Sequence, residues 1–315
     1  QRQMCIRDRN SIQESIAQIY IQILYAAESV KVNENTLQVS IAQRDRGQEL
    51  LNAGSIAKSD FAQLEAQVST DRYQLVTAQA TLQDYKLQLK QLLELDGENE
   101  MNIYLPALSD ENVLLPLPAK KDVYMSALTL RPEIEASKIN VEASELGIDI
   151  AKAGYLPTIS LSAGIGTNHT SGSDFTFGEQ VKNGWNNSIG VSVSVPIFNN
   201  RQTKSAVQKA KLQRETSLLS LLDEQKTLYK TIEGLWLDAN SAQQRYAAAN
   251  EKLKSTQISY DLISEQFDLG MKNTVELLTE KNNLLQAQQE QLQAKYMAIL
   301  NTQLLKFYQG DKLAL

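Results

Sequence analysis

Residues that interrupt helices are scarce in this chain, with 14 glycines and 6 prolines among 315 residues. The remainder is rich in Ala, Leu, Gln, Glu and Lys, which helices accommodate best, so long uninterrupted helices are expected. Aromatic residues are also sparse, 6% against 42% hydrophobic overall. Apolar surface is therefore spread over thin stripes, which argues against one thick globular core. The single cysteine, Cys5, excludes an internal disulfide and a thiolate metal site and leaves the redox compartment open. Charges of both signs are interspersed to a net −6. No basic cluster is present to neutralise phosphates, so nucleic acid is not an expected partner. No apolar run reaches the ~18 residues of a membrane-spanning helix. The one histidine, His169, stands in a polar stretch, with no phosphate loop, dinucleotide fingerprint or nucleophile motif elsewhere to build on. Neither a cofactor nor an enzymatic activity is expected.

What is present is a spacing. Leu228, Ile232, Leu235, Ala239, Ala242, Tyr246, Ala249, Leu253, Thr256, Tyr260, Ile263 and Phe267 alternate steps of four and three. Sustained over several heptads, this keeps one stripe facing a partner helix and winds the pair left-handed. The pattern predicts a helix from about Asn200 to about Leu269, on the order of 100 Å at roughly 1.5 Å per residue. A helix that long needs a lateral partner. Shifting by 216 positions lays Ile12, Ile16, Ile19, Ile23, Ala26, Val30 and their successors to Leu51 on an earlier seam, and sets Tyr20 against Trp236, Gly54 against Gly270 and Asp60 against Glu276. The chain reads as an internal duplication of two large units, not as a short-repeat solenoid. The first unit lacks the segment that precedes the seam in the second.

In chain order, residues 1–9 leave the seam, because Arg9, Cys5 and Arg2 at its projected positions do not continue it. They read as sequence foreign to the helix or as a frayed helix end. Residues 10–96 form the first-repeat helical hairpin, broken at Asn52-Ala53-Gly54-Ser55, with Ser59 and Asp60 suited to start the return helix. Residues 97–130 are an irregular equatorial segment carrying Pro106, Pro116 and Pro118, with a short strand around Met101 to Leu105 and a helix from about Asp122 to Thr129. Residues 131–156 are a helix opened by Pro132 and stopped by Gly154-Tyr155-Leu156-Pro157. A β-hairpin (157–198), the second-repeat helical hairpin (199–309) and a tail (310–315) complete the chain.

In the β-hairpin the period changes to two. Ile159, Leu161, Ala163 and Ile165 alternate with Thr158, Ser160, Ser162 and Gly164, and Ile189, Val191, Val193, Val195 and Ile197 alternate with serine and glycine up to Phe198. Each run is a strand with one apolar and one polar face, long enough to cross a hydrocarbon core at a tilt. Tyr155, Phe175, Phe177 and Trp185 flank the runs where a membrane interface would lie. A soluble hairpin packed through the same face fits the alternation equally. The uncharged serine face and the long helices on both sides favour the membrane. The connection from His169 to Asn187 reads as a polar, glycine-containing loop.

Several motifs converge at this point. Arg131-Pro132-Glu133-Ile134, Gly154-Tyr155-Leu156-Pro157 ahead of an alternating strand, Val193-Ser194-Val195-Pro196-Ile197-Phe198-Asn199 closing its partner, and the duplicated Leu/Phe-x-x-Gly-x-x-x-x-x-Asp/Glu tip resemble the outer-membrane efflux protein (TolC) family. The resemblance runs from Asn10 to Gln309 and rests on the order of the motifs together with the duplication. It implies a mainly α fold of long antiparallel coiled-coil helix pairs in a two-fold internal repeat, with a β-hairpin contributing to a trimeric transmembrane β-barrel. It further implies a homotrimer in the bacterial outer membrane with helices in the periplasm. The implied function is a passive exit duct of a tripartite efflux or type I secretion system, served by a periplasmic adaptor protein and an inner-membrane pump. Only two of the family's four strands per protomer and no export signal are present, so this chain as given is not expected to close a barrel.

The resemblance also places a gate at the helix tips. Glu276 would be the ring acid, Phe267 the constricting aromatic, Lys272 the basic partner and Asp60 the acid of the first copy. Three copies of Glu276 around an axis would repel one another and attract cations. Two departures weaken this gate, since Thr279 stands where a second acid is expected and Phe267 has no hydroxyl. From the residues alone, Asp60 and Glu276 equally suit a helix start, where a carboxylate gains under ~1 kcal/mol from the helix dipole. A soluble coiled-coil structural or assembly protein is the other function class that these helices fit. The hairpin separates the two, because period-two strands flanked by interfacial aromatics speak against the soluble class, and in lipid such a hairpin must close a barrel with other copies.

Overall fold

The computed structural model describes residues 2–95, 103–104 and 113–313. The strand expected around Met101 to Leu105 lies outside these apart from Ile103 and Tyr104, which belong to no strand. In chain order the elements are α1 (Arg2–Asn52), α2 (Lys58–Leu92), α3 (Lys120–Leu130), α4 (Pro132–Ala153), β1 (Thr158–Gly166), α5 (Phe177–Asn183), β2 (Asn186–Ser194), α6 (Gln202–Asp268) and α7 (Thr274–Gln309). They fall into two compact units, one of residues 1–135 and 225–315 and the other of residues 136–224.

The first unit is built on the seams. On α6, Leu228, Ile232, Ala239, Ala242, Tyr246 and Phe267 are buried, and the other seam positions are half-buried. On α1, Ile23, Ala26, Asn33, Leu37, Ser40 and Gly47 are buried, whereas Ile12 is exposed. The helix nevertheless starts at Arg2, ahead of the expected start at Asn10. Once nucleated, a helix gains a hydrogen bond per added residue and does not need the seam to continue. Helix α7 is buried on two sides. Leu292, Tyr296, Leu300 and Leu304 pack on Ile21 and Leu24 of α1, and Ala294 and Ala298 pack on Ala242 and Tyr246 of α6. Burial of each large side chain contributes about 1.5–3 kcal/mol, more than an exposed pair such as Lys252–Glu290 supplies.

The duplication is repeated in the backbone. Gly54 and Gly270 both take the left-handed conformation, with φ of 73° and 75°. Gly54 N–H donates to Leu51 O and Ser55 N–H to Leu50 O, while Gly270 N–H donates to Phe267 O and Met271 N–H to Gln266 O. These are equivalent helix-ending bonds at equivalent positions. Tyr20 and Trp236, also equivalent, each anchor the irregular segment. Tyr20 Oη donates to Tyr104 O at 2.7 Å, and Trp236 Nε1 donates to Pro118 O at 3.1 Å. The latter ring also carries the Lys120 ammonium at 4.6 Å. Gln243 Nε2 completes the anchoring through Val113 O and Leu115 O, at 3.0 and 2.8 Å.

In the second unit β1 and β2 pair antiparallel. Ile159 lies opposite Val193, Leu161 opposite Val191 and Ala163 opposite Ile189, while Thr158, Ser160 and Gly164 face Ser194, Ser192 and Ser188. One face is thus apolar and the other small and polar, as the alternation predicts. β2 ends at Ser194, short of the expected Phe198, because Pro196 has no N–H for the ladder, just as Pro157 precedes the ladder's other strand. The expected loop between the strands contains a helical turn, α5. Thr176 opens it as a capping box, its N–H and Oγ1 donating to the Glu179 carboxylate at 2.9 and 2.8 Å. Within this unit Arg214 Nη2 pairs with Glu145 at 3.0 Å.

Arg131 closes the end of the first unit. Its guanidinium reaches Glu133 at 2.8 Å and Glu14 of α1 at 3.3 Å, and lies 4.1 Å from the Tyr308 ring centroid on α7. Burial pushes the Tyr308 hydroxyl up to about 12, with the Glu14 charge adding to the rise. A planar, stacked and forked cation does what an ammonium cannot. Arg131→Gln leaves two half-buried carboxylates without their cation, so it is expected to cost about 1–3 kcal/mol in denaturant unfolding, with Arg131→Lys recovering only part of it.

Candidate functional site

The residues singled out from sequence lie at two places, the helix tips of the first unit and the hairpin of the second. At the second-copy tip, Asn273 is the N-cap of α7, and its side chain accepts from Glu276 N–H at 2.9 Å. The Glu276 carboxylate accepts in return from Asn273 N–H at 3.2 Å and from Lys272 Nζ at 2.5 Å. These contacts, the Lys272 hydrogen bond first, hold the Glu276 carboxyl below its ordinary value of 4.5. At the first-copy tip, Asp60 occupies the same position in α2 and accepts from Ala57 N–H at 3.3 Å. Ser59, expected as a cap, lies inside the helix, and Ala57 is the N-cap. Position 56, equivalent to Lys272, is Ile56, so the ion pair belongs to the second copy alone.

Of the four tip residues, the structure brings Lys272 and Glu276 together. Among the described residues no ion pair joins Asp60 to either. Phe267 is 3% exposed, buried within this chain's own packing. Two contacts that sequence reasoning missed link the tips to each other. Arg46 of α1 reaches Asp268 at the end of α6, Nε to carboxylate at 3.9 Å and Nη2 to the backbone carbonyl at 3.4 Å. One turn further up, Gln43 Nε2 donates to Tyr260 Oη at 2.9 Å. Opposite charges near the two turns were a signal for Arg46 and Asp268 alone, because in both contacts the partners lie more than two hundred residues apart.

On the hairpin, every residue of β1 and β2 is exposed, including Ile189 at 83% and Leu161 at 75%. Tyr155, Phe175, Phe177 and Trp185 are exposed as well. His169 lies against Phe177 at 5.3 Å between ring centroids and has its Nδ1 3.1 Å from Gln180 Oε1. Among the described residues no helix is long and apolar enough to cross a membrane, and no three His, Cys, Asp or Glu side chains converge as a metal site.

A family model described as outer membrane efflux protein matches residues 123–310. The chain is 25% identical over 295 residues to outer membrane efflux protein BepC of Brucella suis biovar 1, covering 93% of this chain and 61% of the relative. It is 25% identical over 309 residues to outer membrane protein TolC of Escherichia coli K12, covering 93% and 60%. The chain thus spans about three fifths of these relatives' length. A solved structure of CusC superimposes with a TM-score of 0.78 at 19% identity, over 95% of this chain and 68% of that one, a likeness of fold.

A carboxyl whose folded pKa is lowered stabilises the fold above its unfolded value and loses that contribution as pH falls through the folded one. The thermal midpoint of Glu276→Gln is therefore expected to lie below the native midpoint above the ordinary carboxyl value of 4.5 and to converge on it as the pH falls below that value through the lowered folded one. Calorimetry across that range checks this, and a constant gap would show that the carboxylate's charge is not what the tip uses.

Proposed function

The chain belongs to the outer membrane efflux protein family, and on that premise we propose that it forms part of an exit duct in the bacterial outer membrane. The duct is passive and belongs to a tripartite efflux or type I secretion system. The observation that carries this reading is the hairpin, two strands of nine residues each, apolar on one face, small and polar on the other, and exposed on both. Strands of that length, tilted, span a hydrocarbon core. Tyr155, Phe175, Phe177 and Trp185 fit the interfacial belt that amphipathic rings favour. Because open strand edges are not stable in lipid, the hairpin contributes its two strands to a barrel shared by three copies of the full-length protein, and the long helical hairpins line a periplasmic passage. A periplasmic adaptor and an inner-membrane pump supply the coupling and the energy, consistent with the absence of a phosphate loop from this sequence.

The tips are the proposed gate. Asp60 and Glu276 supply negative charge at the entrance, Lys272 tempers Glu276, and Phe267 holds the end of α6 in place. Opening untwists the return helices and breaks the links that join the tips, Arg46 to Asp268 and Gln43 to Tyr260. A carboxylate that caps its own helix can also contribute to a ring, because capping uses only part of its acceptor capacity.

Single-channel recording of the full-length, detergent-purified protein that contains this chain, in planar bilayers, tests this. The native protein is expected to give small, cation-selective conductance. Glu276→Ala and Asp60→Ala should weaken the selectivity, and Arg46→Ala should raise the open fraction. No conductance from a verified, folded trimer would overturn the duct. Conductance indifferent to all three substitutions would retain the duct and discard the tip residues.

A further inference from the structure

A buried charge pair lies along the helices, away from the tips. Asp71 of α2 and Lys281 of α7 are 1% and 3% exposed and form an ion pair. Ser40 of α1, 2% exposed, donates to Asp71 Oδ2 and accepts from Lys281 Nζ. The second carboxylate oxygen, Asp71 Oδ1, accepts from Gln67 Nε2 at 2.9 Å. Three helices meet in one buried polar cluster. Ser40 is itself a seam position, where a polar side chain in a coiled coil commonly fixes register at a cost in stability.

The duplication gives this cluster its meaning. At the same 216-position shift, Ser40 corresponds to Thr256, Asp71 to Ala287 and Lys281 to Glu65. Ala287 is fully buried, Glu65 is exposed, and Thr256 turns its hydroxyl to its own helix, donating to Lys252 O at 2.8 Å. Neither copy contains the pair by itself, because one supplies the acid and the other the base. In the base's place the first copy carries an acid, and in the acid's place the second carries a methyl group.

We infer that Ser40, Asp71 and Lys281 form a clasp that tells the two near-equivalent hairpins apart and admits only α7, in one register, against the α1–α2 pair. A return helix of the first-copy type in α7's place would bring Glu65 to Asp71, two carboxylates in a buried site with no cation. A slip of α7 along its own seam would strand Lys281 and Asp71 separately, each a buried charge without a partner. The apolar stripes alone cannot make this distinction, since leucine and alanine recur at the same spacing in both copies. Buried ion pairs are poor sources of stability compared with packed apolar side chains, and fixing register is their best attested use. The inference concerns packing within one chain and does not depend on what the duct carries.

The test places nitroxide labels at Tyr73→Cys on α2 and Gln286→Cys on α7, which line the same groove. Cys5→Ser removes the native thiol, and labelled chain is diluted with unlabelled chain so that only distances within one chain are read. The parent is expected to give one narrow distance population. Asp71→Leu with Lys281→Met should keep the helical content while alternative distances rise about tenfold, equivalent to about 1.4 kcal/mol of lost preference. Asp71→Lys with Lys281→Glu, which restores an opposite pair, should return the distribution to one population. A single native population in the apolar double variant overturns the inference. Loss of helical content in that variant also overturns it, because the pair would then be a source of stability and not of discrimination.

Discussion

Everything in this protein that calls for company begins with the backbone of two strands. β1 and β2 satisfy each other along one edge and leave the other edges with their N–H and C=O groups turned outward. Both faces are open, one of them lined by Ile159, Leu161, Ile189, Val191 and Val193. A two-stranded sheet is marginal alone in water, and its free edges are untenable in lipid. The helices carry the same requirement in weaker form. Tyr73, Val76 and Leu87 of α2 and Leu212, Leu219 and Leu222 of α6 remain exposed. In the proposed assembly, neighbouring copies that complete the sheet and cover these stripes answer both requirements with one symmetric arrangement.

Against that background the duplication supplies a scaffold, and a few substitutions give its halves different work. The glycine turns, the helix-ending bonds and the carboxylate that reaches back to its own cap are shared by both copies. Ile56 against Lys272, Ala287 against Asp71 and Glu65 against Lys281 are not. The first difference gives one tip an ion pair that the other lacks. The other two build a buried contact that exists only between unlike copies. Symmetry of backbone combined with asymmetry of charge lets a duplicated chain fold into two hairpins that are not interchangeable.

The features legible in the sequence were those fixed by local chemistry. Gly54 and Gly270 marked the turns because a left-handed cap favours glycine. Pro132 opened α4 at the expected residue, and period two placed β1 with its faces correctly assigned. The limits of such reading are equally physical. Val195 and Ile197 continue the alternation that made β2 look longer, but a pattern of faces carries no information about the donor missing at Pro196. The box Thr176–Glu179 was available and was hidden by the polar composition around it. At the candidate site, the sequence placed Glu276 and Lys272 four positions apart but could not pair Arg46 with Asp268. Nor could it bring Glu14 to Arg131, 117 positions away, or Ser40 and Asp71 to Lys281. Periodicity tells which face of a helix is covered, not which polar group waits on the helix that covers it.

The account stands or falls on assembly, since among the described residues nothing covers the hairpin edges or the exposed helix stripes. Native mass spectrometry of the protein released from outer-membrane extracts into a mild detergent is the direct measurement. The account predicts a dominant species of three times the single-chain mass that survives dilution and gentle activation. A dominant single-chain species, folded and stable at the same concentration, would contradict it.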